Sequence, residues 1–368
     1  MGASKVENLG IKTLDQLKKG ALTFLTLILV LTIGSCASKA PKYEKVEELK
    51  RNQEFEQTVK IVVPAETAHD GSDVSAPAQT TTTSMATTTT LPGKKADKKI
   101  KKPKKGELPP PPAPVGRQPD IESTDGFDGG RRPLKDPFRV GERVTHNVSY
   151  FKVSAGILNL ESRAYAEVNG HKNYQFRTSI KTSSLFSSFY SVDDYVDVLM
   201  DFDQMIPSVF TQHVKETDQL KEAQMYFDHE KNTATFWEKK VTEKNGEETK
   251  KQHWEIMPYS QSVFSAAFYM RIFQWEVGKE YAFRVANDNE NLVFRAKALR
   301  REKISTKAGD FDAVVIKPEI ELKGKFKPVG DIFIWLSDDD RKYLLRIESQ
   351  IKIGTLVSEV IEIIPGKP

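Results

Sequence analysis

The chain has 368 residues, a formal net charge of +4 and a single cysteine, Cys36. One cysteine excludes a disulfide framework and a cysteine-ligated zinc site. Residues 1–36 carry +2 and residues 37–135 carry +4, which leaves −2 for residues 136–368. A nucleic-acid-binding fold would concentrate its positive charge on the globular part instead.

The first 36 residues have three parts. Lys5, Lys12, Lys18 and Lys19 make a basic front, residues 21–33 form an uncharged apolar run, and Gly34-Ser35 precede Cys36. An apolar run this short suits a signal-peptide core and not a spanning helix. Small residues before a cysteine are what a lipoprotein signal peptidase requires, so the pattern resembles the bacterial lipobox. The sequence predicts a lipoprotein signal peptide over 1–35 and lipidation of Cys36. Acyl chains would then hold the protein to the membrane. In enteric-type sorting an aspartate after the cysteine retains a lipoprotein in the inner membrane. Ala37 stands there instead, which implies the outer membrane, facing the periplasm.

Residues 36–135 predict a disordered Thr/Lys/Pro-rich tether. The stretch holds threonine runs at 80–83 and 87–90 and a proline run at 109–112, and it shows no sustained hydrophobic period. Residues 43–63 are charged and mixed and predict at most a short transient helix. Lys94, Lys95, Lys98, Lys99, Lys101, Lys102, Lys104 and Lys105 form a basic cluster. It reads either as a contact for anionic polymer, such as lipopolysaccharide or peptidoglycan, or as a self-repelling solvated spacer.

From residue 136 the pattern changes to period two. Val144, His146, Val148 and Tyr150 alternate with polar neighbours. Further strands are expected over 157–168, 174–181, 190–200, 208–215, 223–227, 233–241 and 252–257, with hairpin turns at Asn169-Gly170 and Asn245-Gly246. Residues 261–275 place Val263, Phe264, Ala267, Phe268, Ile272 and Phe273 at helical spacing, so one amphipathic helix interrupts the strands. Strands resume over 280–286, 292–304, 311–318, 331–336, 344–353 and 356–364. The expected class is mainly β: an antiparallel curved sheet, half-barrel or barrel with one main α-helix, occupying 136–368.

Several strings in this domain form a recognisable set. They are Phe138-Arg139-Val140-Gly141-Glu142, Lys303-Ile304-Ser305-Thr306-Lys307-Ala308-Gly309-Asp310-Phe311, Phe333-Ile334-Trp335-Leu336-Ser337-Asp338-Asp339-Asp340-Arg341 followed by Leu345-Arg346-Ile347-Glu348, and Lys352-Ile353-Gly354. In order and spacing they resemble the domain of unknown function 3108 family of bacterial envelope proteins. Leu345 departs from that pattern, where proline is expected. The resemblance implies a β-rich envelope domain without an established activity, and it brings no catalytic residues.

A direct search for chemistry returns little. His146, His171, His213, His229 and His253 lack metal-ligand spacing. Asp338-Asp339-Asp340 lacks the alternating ligands of a calcium loop and reads as a turn. Asp193, Asp194 and Asp197 flank Tyr195, but alternation puts Asp194 on the opposite face from Asp193. Phe186, Phe189, Tyr190, Phe264, Phe268, Phe273 and Trp275 cluster around the helix and the loop before Tyr190, and would line a ligand pocket or fill a core. No catalytic residue, metal or cofactor is expected. Three readings remain open: a non-enzymatic envelope lipoprotein binding an apolar or amphiphilic ligand, a scaffold linking envelope layers or partner proteins, and a glycan-processing enzyme using strand carboxylates.

Overall fold

The computed structural model describes residue 49 and residues 52–63, 121–322, 325–327, 331–350 and 354–367. The segment expected to be a signal peptide, Cys36 and the lysine cluster at 94–105 lie outside the described residues. Among them, no helix is long and apolar enough to cross a membrane.

Seventeen strands form one antiparallel sheet. They are β1 (Ile61–Val62), β2 (Glu142–Tyr150), β3 (Val153–Ser162), β4 (Ala166–Val168), β5 (His171–Thr182), β6 (Asp193–Asp201), β7 (Pro207–Glu216), β8 (Gln219–Asp228), β9 (Thr233–Thr242), β10 (Gly246–Glu255), β11 (Glu280–Asn287), β12 (Glu290–Thr306), β13 (Gly309–Leu322), β14 (Lys325–Lys327), β15 (Asp331–Ser337), β16 (Leu344–Gln350) and β17 (Thr355–Pro365). The helices are α1 (Gln53–Thr58), α2 (Ser184–Ser187) and α3 (Val263–Tyr269). Neighbours in sequence are mostly neighbours in space, from β10 back through β5, β3 and β2. β2 then pairs β17, and the sheet runs on through β16, β15, β13 and β12 to β11.

The free edges are therefore β10 and β11. Side chains bridge them: Lys250 Nζ lies 2.7 Å from Asp288 Oδ1, Asn291 Nδ2 donates to Glu255 O at 3.0 Å, and Met257 N donates to Asn291 Oδ1 at 3.1 Å. The result is a curved sheet that no ladder closes, with β10 and the chain just after it tied through polar side chains to the β11–β12 hairpin.

One end of the sheet, called here the upper end, carries the β2–β3, β7–β8 and β9–β10 hairpins and α2. The opposite, lower end is closed by the chain between β10 and β11. Helix α3 enters there on a capping box, in which Ser262 Oγ accepts from Ser265 N at 2.9 Å and Ser265 Oγ accepts from Ser262 N at 2.8 Å. Phe264 through Tyr269 are all buried, the signature of a helix enclosed on every side. The expected helix over 261–275 is thus shorter. A 3₁₀ turn at Met270–Ile272 follows it, and the chain is extended from Phe273. The expected strand over 157–168 is broken into β3 and β4, both paired with β5, and between them Arg163 N donates to Gln175 O of β5 at 2.8 Å.

The expected tether, 36–135, is corrected at two places. Residues 52–63 belong to the barrel. Asn52 caps α1, accepting from Glu54 N at 2.9 Å, and Phe55 is buried edge-on against Trp237 at 5.8 Å between ring centres. β1 pairs β4, with Ile61 opposite Val168. Residues 121–135 form a strap across the lower end. There Arg131 reaches Glu122 at 3.0 Å, donates to Tyr269 Oη at 2.8 Å and donates to Gln204 O at 2.6 Å. Polar composition concealed both segments, since α1 buries a single residue and the strap buries a charge pair. Asn52→Ala should remove about 1 kcal/mol from the α1 cap. Amide hydrogen exchange at Glu56 and Val59 should then be about five-fold faster.

Candidate functional site

The inward faces of β6 to β10 change character along their length. From the lower to the upper end, β6 presents Met200, Val198, Val196 and Asp194. β8 presents Phe227, Met225, Ala223 and Lys221, and β9 presents Ala234, Phe236, Glu238 and Lys240. The register stacks these into levels. Val198, Phe210, Met225, Phe236 and Gln252 face one another across five strands. Above them lie Val196, Gln212, Ala223, Glu238 and Lys250, and above those Val214, Lys221, Lys240 and Glu248. The lower levels join the main core, and the upper ones form a charged inner wall.

Below this wall the interior is packed. Phe268 of α3 stacks on Phe176 at 4.3 Å, Phe264 meets Phe210 at 5.0 Å, and Tyr269 meets Phe283 at 5.1 Å.

Two groups in the wall are buried without full satisfaction. Asp194 is 2% exposed. Its Oδ1 accepts from Lys215 N at 2.9 Å, and its Oδ2 has no partner. Gln212 is 4% exposed, and its Nε2 has no partner. Three strands over, on β10, Gln252 Oε1 is also unpaired. Buried polar atoms are almost always paired, so three exceptions on neighbouring levels are a feature of the site. Lys221 is offered only a loose counter-ion, Glu238 at 3.9 Å. Burial pulls its ammonium below the ordinary lysine value against the opposing pull of Glu238 and Asp194.

Burial, with Glu216 adding like-charge repulsion, raises the Asp194 carboxyl to about 7. The unfolded chain would release that proton near the ordinary aspartate value of about 4. Between those two values the folded state holds more protons, so stability falls as pH rises from about 4 to 7, and the cost is fully present above 7. Asp194→Asn keeps the acceptor for Lys215 N and abolishes the charge. Urea unfolding should show the variant more stable by about 2 kcal/mol at pH 8, with the curves converging near pH 4.

The seven aromatic residues expected to cluster are divided between two places. Phe264, Phe268, Phe273 and Trp275 are buried in the main core. Phe186 and Tyr190 are half-buried beside α2 at the upper end, and Phe189 is 78% exposed there. Tyr190 Oη donates to Glu216 Oε2 at 2.7 Å. Asp193 pairs with Lys181 and Asp197 with Arg177, while Asp194 faces inward, so these three carboxylates do not converge. Among the described residues no group of three or more His, Cys, Asp or Glu side chains could hold a metal ion. His146 is fully buried between Leu344 O at 3.0 Å and Ser358 Oγ at 3.2 Å, which draws its pKa down to about 4 through burial. Asp339 Oδ1 accepts from Ser337 Oγ, Arg341 N and Lys342 N, as a turn requires.

The family model described as protein of unknown function (DUF3108) matches residues 143–361, more than half of the chain. The chain belongs to this family. Leu345, the departure from its pattern, is fully buried within β16. No curated protein matches the DUF3108 chain in sequence. Three solved structures are similar to it. A β-barrel-like protein of domain of unknown function DUF1849 from Brucella abortus has a TM-score of 0.38 at 9% identity, covering 61% of this chain and 98% of that one. A candidate exported protein with a YmcC-like fold from Bacteroides fragilis has a TM-score of 0.29 at 11% identity, covering 62% and 97%. A candidate lipoprotein from Parabacteroides distasonis has a TM-score of 0.26 at 10% identity, covering 61% and 95%.

The charged wall escaped sequence reading because each strand contributes only one or two of its residues. The available signal is that β6, β8 and β9 each switch from apolar to charged on the same face, toward the same end.

Proposed function

We propose that this DUF3108 protein is a non-enzymatic lipoprotein of the bacterial envelope. Acyl chains on Cys36 anchor it to the outer membrane, facing the periplasm, and its barrel holds one amphiphilic molecule. The observation that carries the binding role is the pair of buried, unpaired groups in the upper interior, Asp194 Oδ2 and Gln212 Nε2. A polar head group bearing both donors and acceptors satisfies them, with Lys221 and Glu238 as counter-charges. Apolar side chains continue on the neighbouring strands, where Leu158, Ile180 and Val148 pack together with Leu356. That surface suits the hydrocarbon part of the same molecule.

Anchoring draws its support from the sequence: the basic front, the short apolar run and the small residues before Cys36. Binding is tested by native mass spectrometry of the lipidated protein extracted from the envelope. A discrete adduct of lipid mass is expected, and it should be weakened in a Gln212→Leu, Lys221→Met variant. Protein without any adduct would remove the binding role and leave the scaffold reading, in which the domain links envelope layers or partner proteins.

A further inference from the structure

We infer that the upper end of the barrel docks on the bilayer that holds its own acyl anchor, inserting an apolar lip built from two adjacent loops. The inference rests on the proposed lipid anchor.

The lip has two parts. The β2–β3 hairpin tip carries Phe151, 60% exposed, and Val153, 45% exposed. The loop around α2 carries Leu185, 63% exposed, and Phe189, 78% exposed. The two loops are joined at their bases, where Ser183 N donates to Ala155 O at 2.8 Å and Ser183 Oγ donates to Ser154 O at 3.1 Å. Both strongly exposed phenylalanines of the described residues are here. Lys152 stands exposed beside Phe151, placed for an anionic head group.

The backbone supplies an independent observation. The hairpin turns on Phe151 and Lys152 with φ of 48° and 63°. Such a two-residue turn favours Asn-Gly, and a bulky residue there is strained. Core packing alone does not explain the choice: the Phe151 ring leans on Tyr150 at 4.4 Å between ring centres, yet the residue stays mostly in water. Strain retained to hold an aromatic ring in solvent marks an interaction surface. Gly354 of the neighbouring β16–β17 connection lies beneath that ring, and a Cβ there would come within 2.9 Å of Phe151 Cζ.

The reach of the anchor decides the occupant. A tether running to residue 135 would let the domain work far from its membrane. The chain is instead bound to the barrel from Asn52 onward, sixteen residues after Cys36. Fully extended, that leash spans roughly 55 Å, and as a random coil about 20 Å. The bilayer surface is therefore always within reach of the lip. The lip also borders the upper end of the interior, where Asp194 lies buried, so docking brings the charged wall close to the lipids it would take.

The test uses the full lipidated chain in vesicles of phosphatidylethanolamine and phosphatidylglycerol containing brominated acyl chains. Phe189→Cys carries an environment-sensitive dye, and Val277→Cys, near α3 at the lower end, carries it as the control. Flotation reports the anchor and quenching reports the lip. At least three-fold stronger quenching at 189 than at 277 is expected, falling to the control level when Phe151→Ser and Leu185→Ser are added. Flotation with equal quenching at both sites, or stronger quenching at 277, overturns the docking inference alone. So does shielding of 189 that follows protein density without bromine quenching, which would mean a second copy on the lip. Failure to float overturns the anchor and this inference together.

Discussion

Arg271→Leu should destabilise the domain by about 3–5 kcal/mol, as expected when a buried ion pair loses one partner. Arg271 and Glu142 side chains are 5% and 2% exposed, and Nη1 meets Oε1 at 2.6 Å. The same guanidinium donates to Pro137 O at 3.2 Å and, through Nε and Nη2, to Arg341 O at 3.1 and 2.9 Å. It also lies 4.9 Å from the centre of the Phe138 ring. One side chain thus ties the α3 segment to the chain leading into β2, to β2 itself and to the β15–β16 turn. Removing it strands Glu142 in the interior with Arg341 as its remaining cation. Lysine should not rescue the variant, because a point charge cannot serve three acceptors in a plane. Arg271→Leu with Glu142→Leu should recover at least half of the loss, since no lone buried charge remains. Urea unfolding measures all three, and a loss below 1 kcal/mol for the single variant would contradict this account of how the lower end is held.

Phe268→Ala should cost a similar 3–5 kcal/mol, from lost transfer energy and the cavity left behind. The ring is 2% exposed and stacks at 4.3 Å on Phe176, which is itself fully buried. Phe138 also approaches Phe176, at 4.7 Å, so the chain leading into β2, the sheet and the helix share one aromatic contact. The capping box of α3 is independent of this ring, so the helix should persist with a looser seat. The variant also separates two parts of the interior. It should admit an apolar dye at the lower end while leaving the lipid adduct intact, because the proposed head-group site lies on the levels above. Loss of the adduct in a folded Phe268→Ala protein would move the site down to the helix.

What the sequence made legible is what alternation and turns encode. The strands of the domain follow period two. The turns at Asn169-Gly170, with φ of 50° and 84°, and at Gly246, with φ of 70°, fall where Asn-Gly predicts a hairpin. The faces of Asp193 and Asp194 also follow alternation. Pairings between residues far apart were hidden. Phe55 meets Trp237 about 180 positions away, and nothing near Phe55 has enough apolar residues to register as a period. Glu122 and Arg131 look like solvated charges until they are seen to bury each other.

Proximity along the chain also misled. Phe186, Phe189 and the α3 aromatics read as one cluster, lining a pocket or filling a core, yet the fold places the first two at the upper end and the others in the main core. Two of the family strings gain a physical meaning in the fold. Phe138, Glu142 and Arg341 converge on Arg271, so these residues hold the lower end closed.

Metabolic labelling with an alkyne analogue of palmitate tests the central claim, lipid attachment at Cys36, most directly. The wild-type chain should take up the label and enter the membrane fraction, and a Cys36→Ser chain should take up none. Equal labelling of the two chains, or no labelling of the wild type, would contradict it.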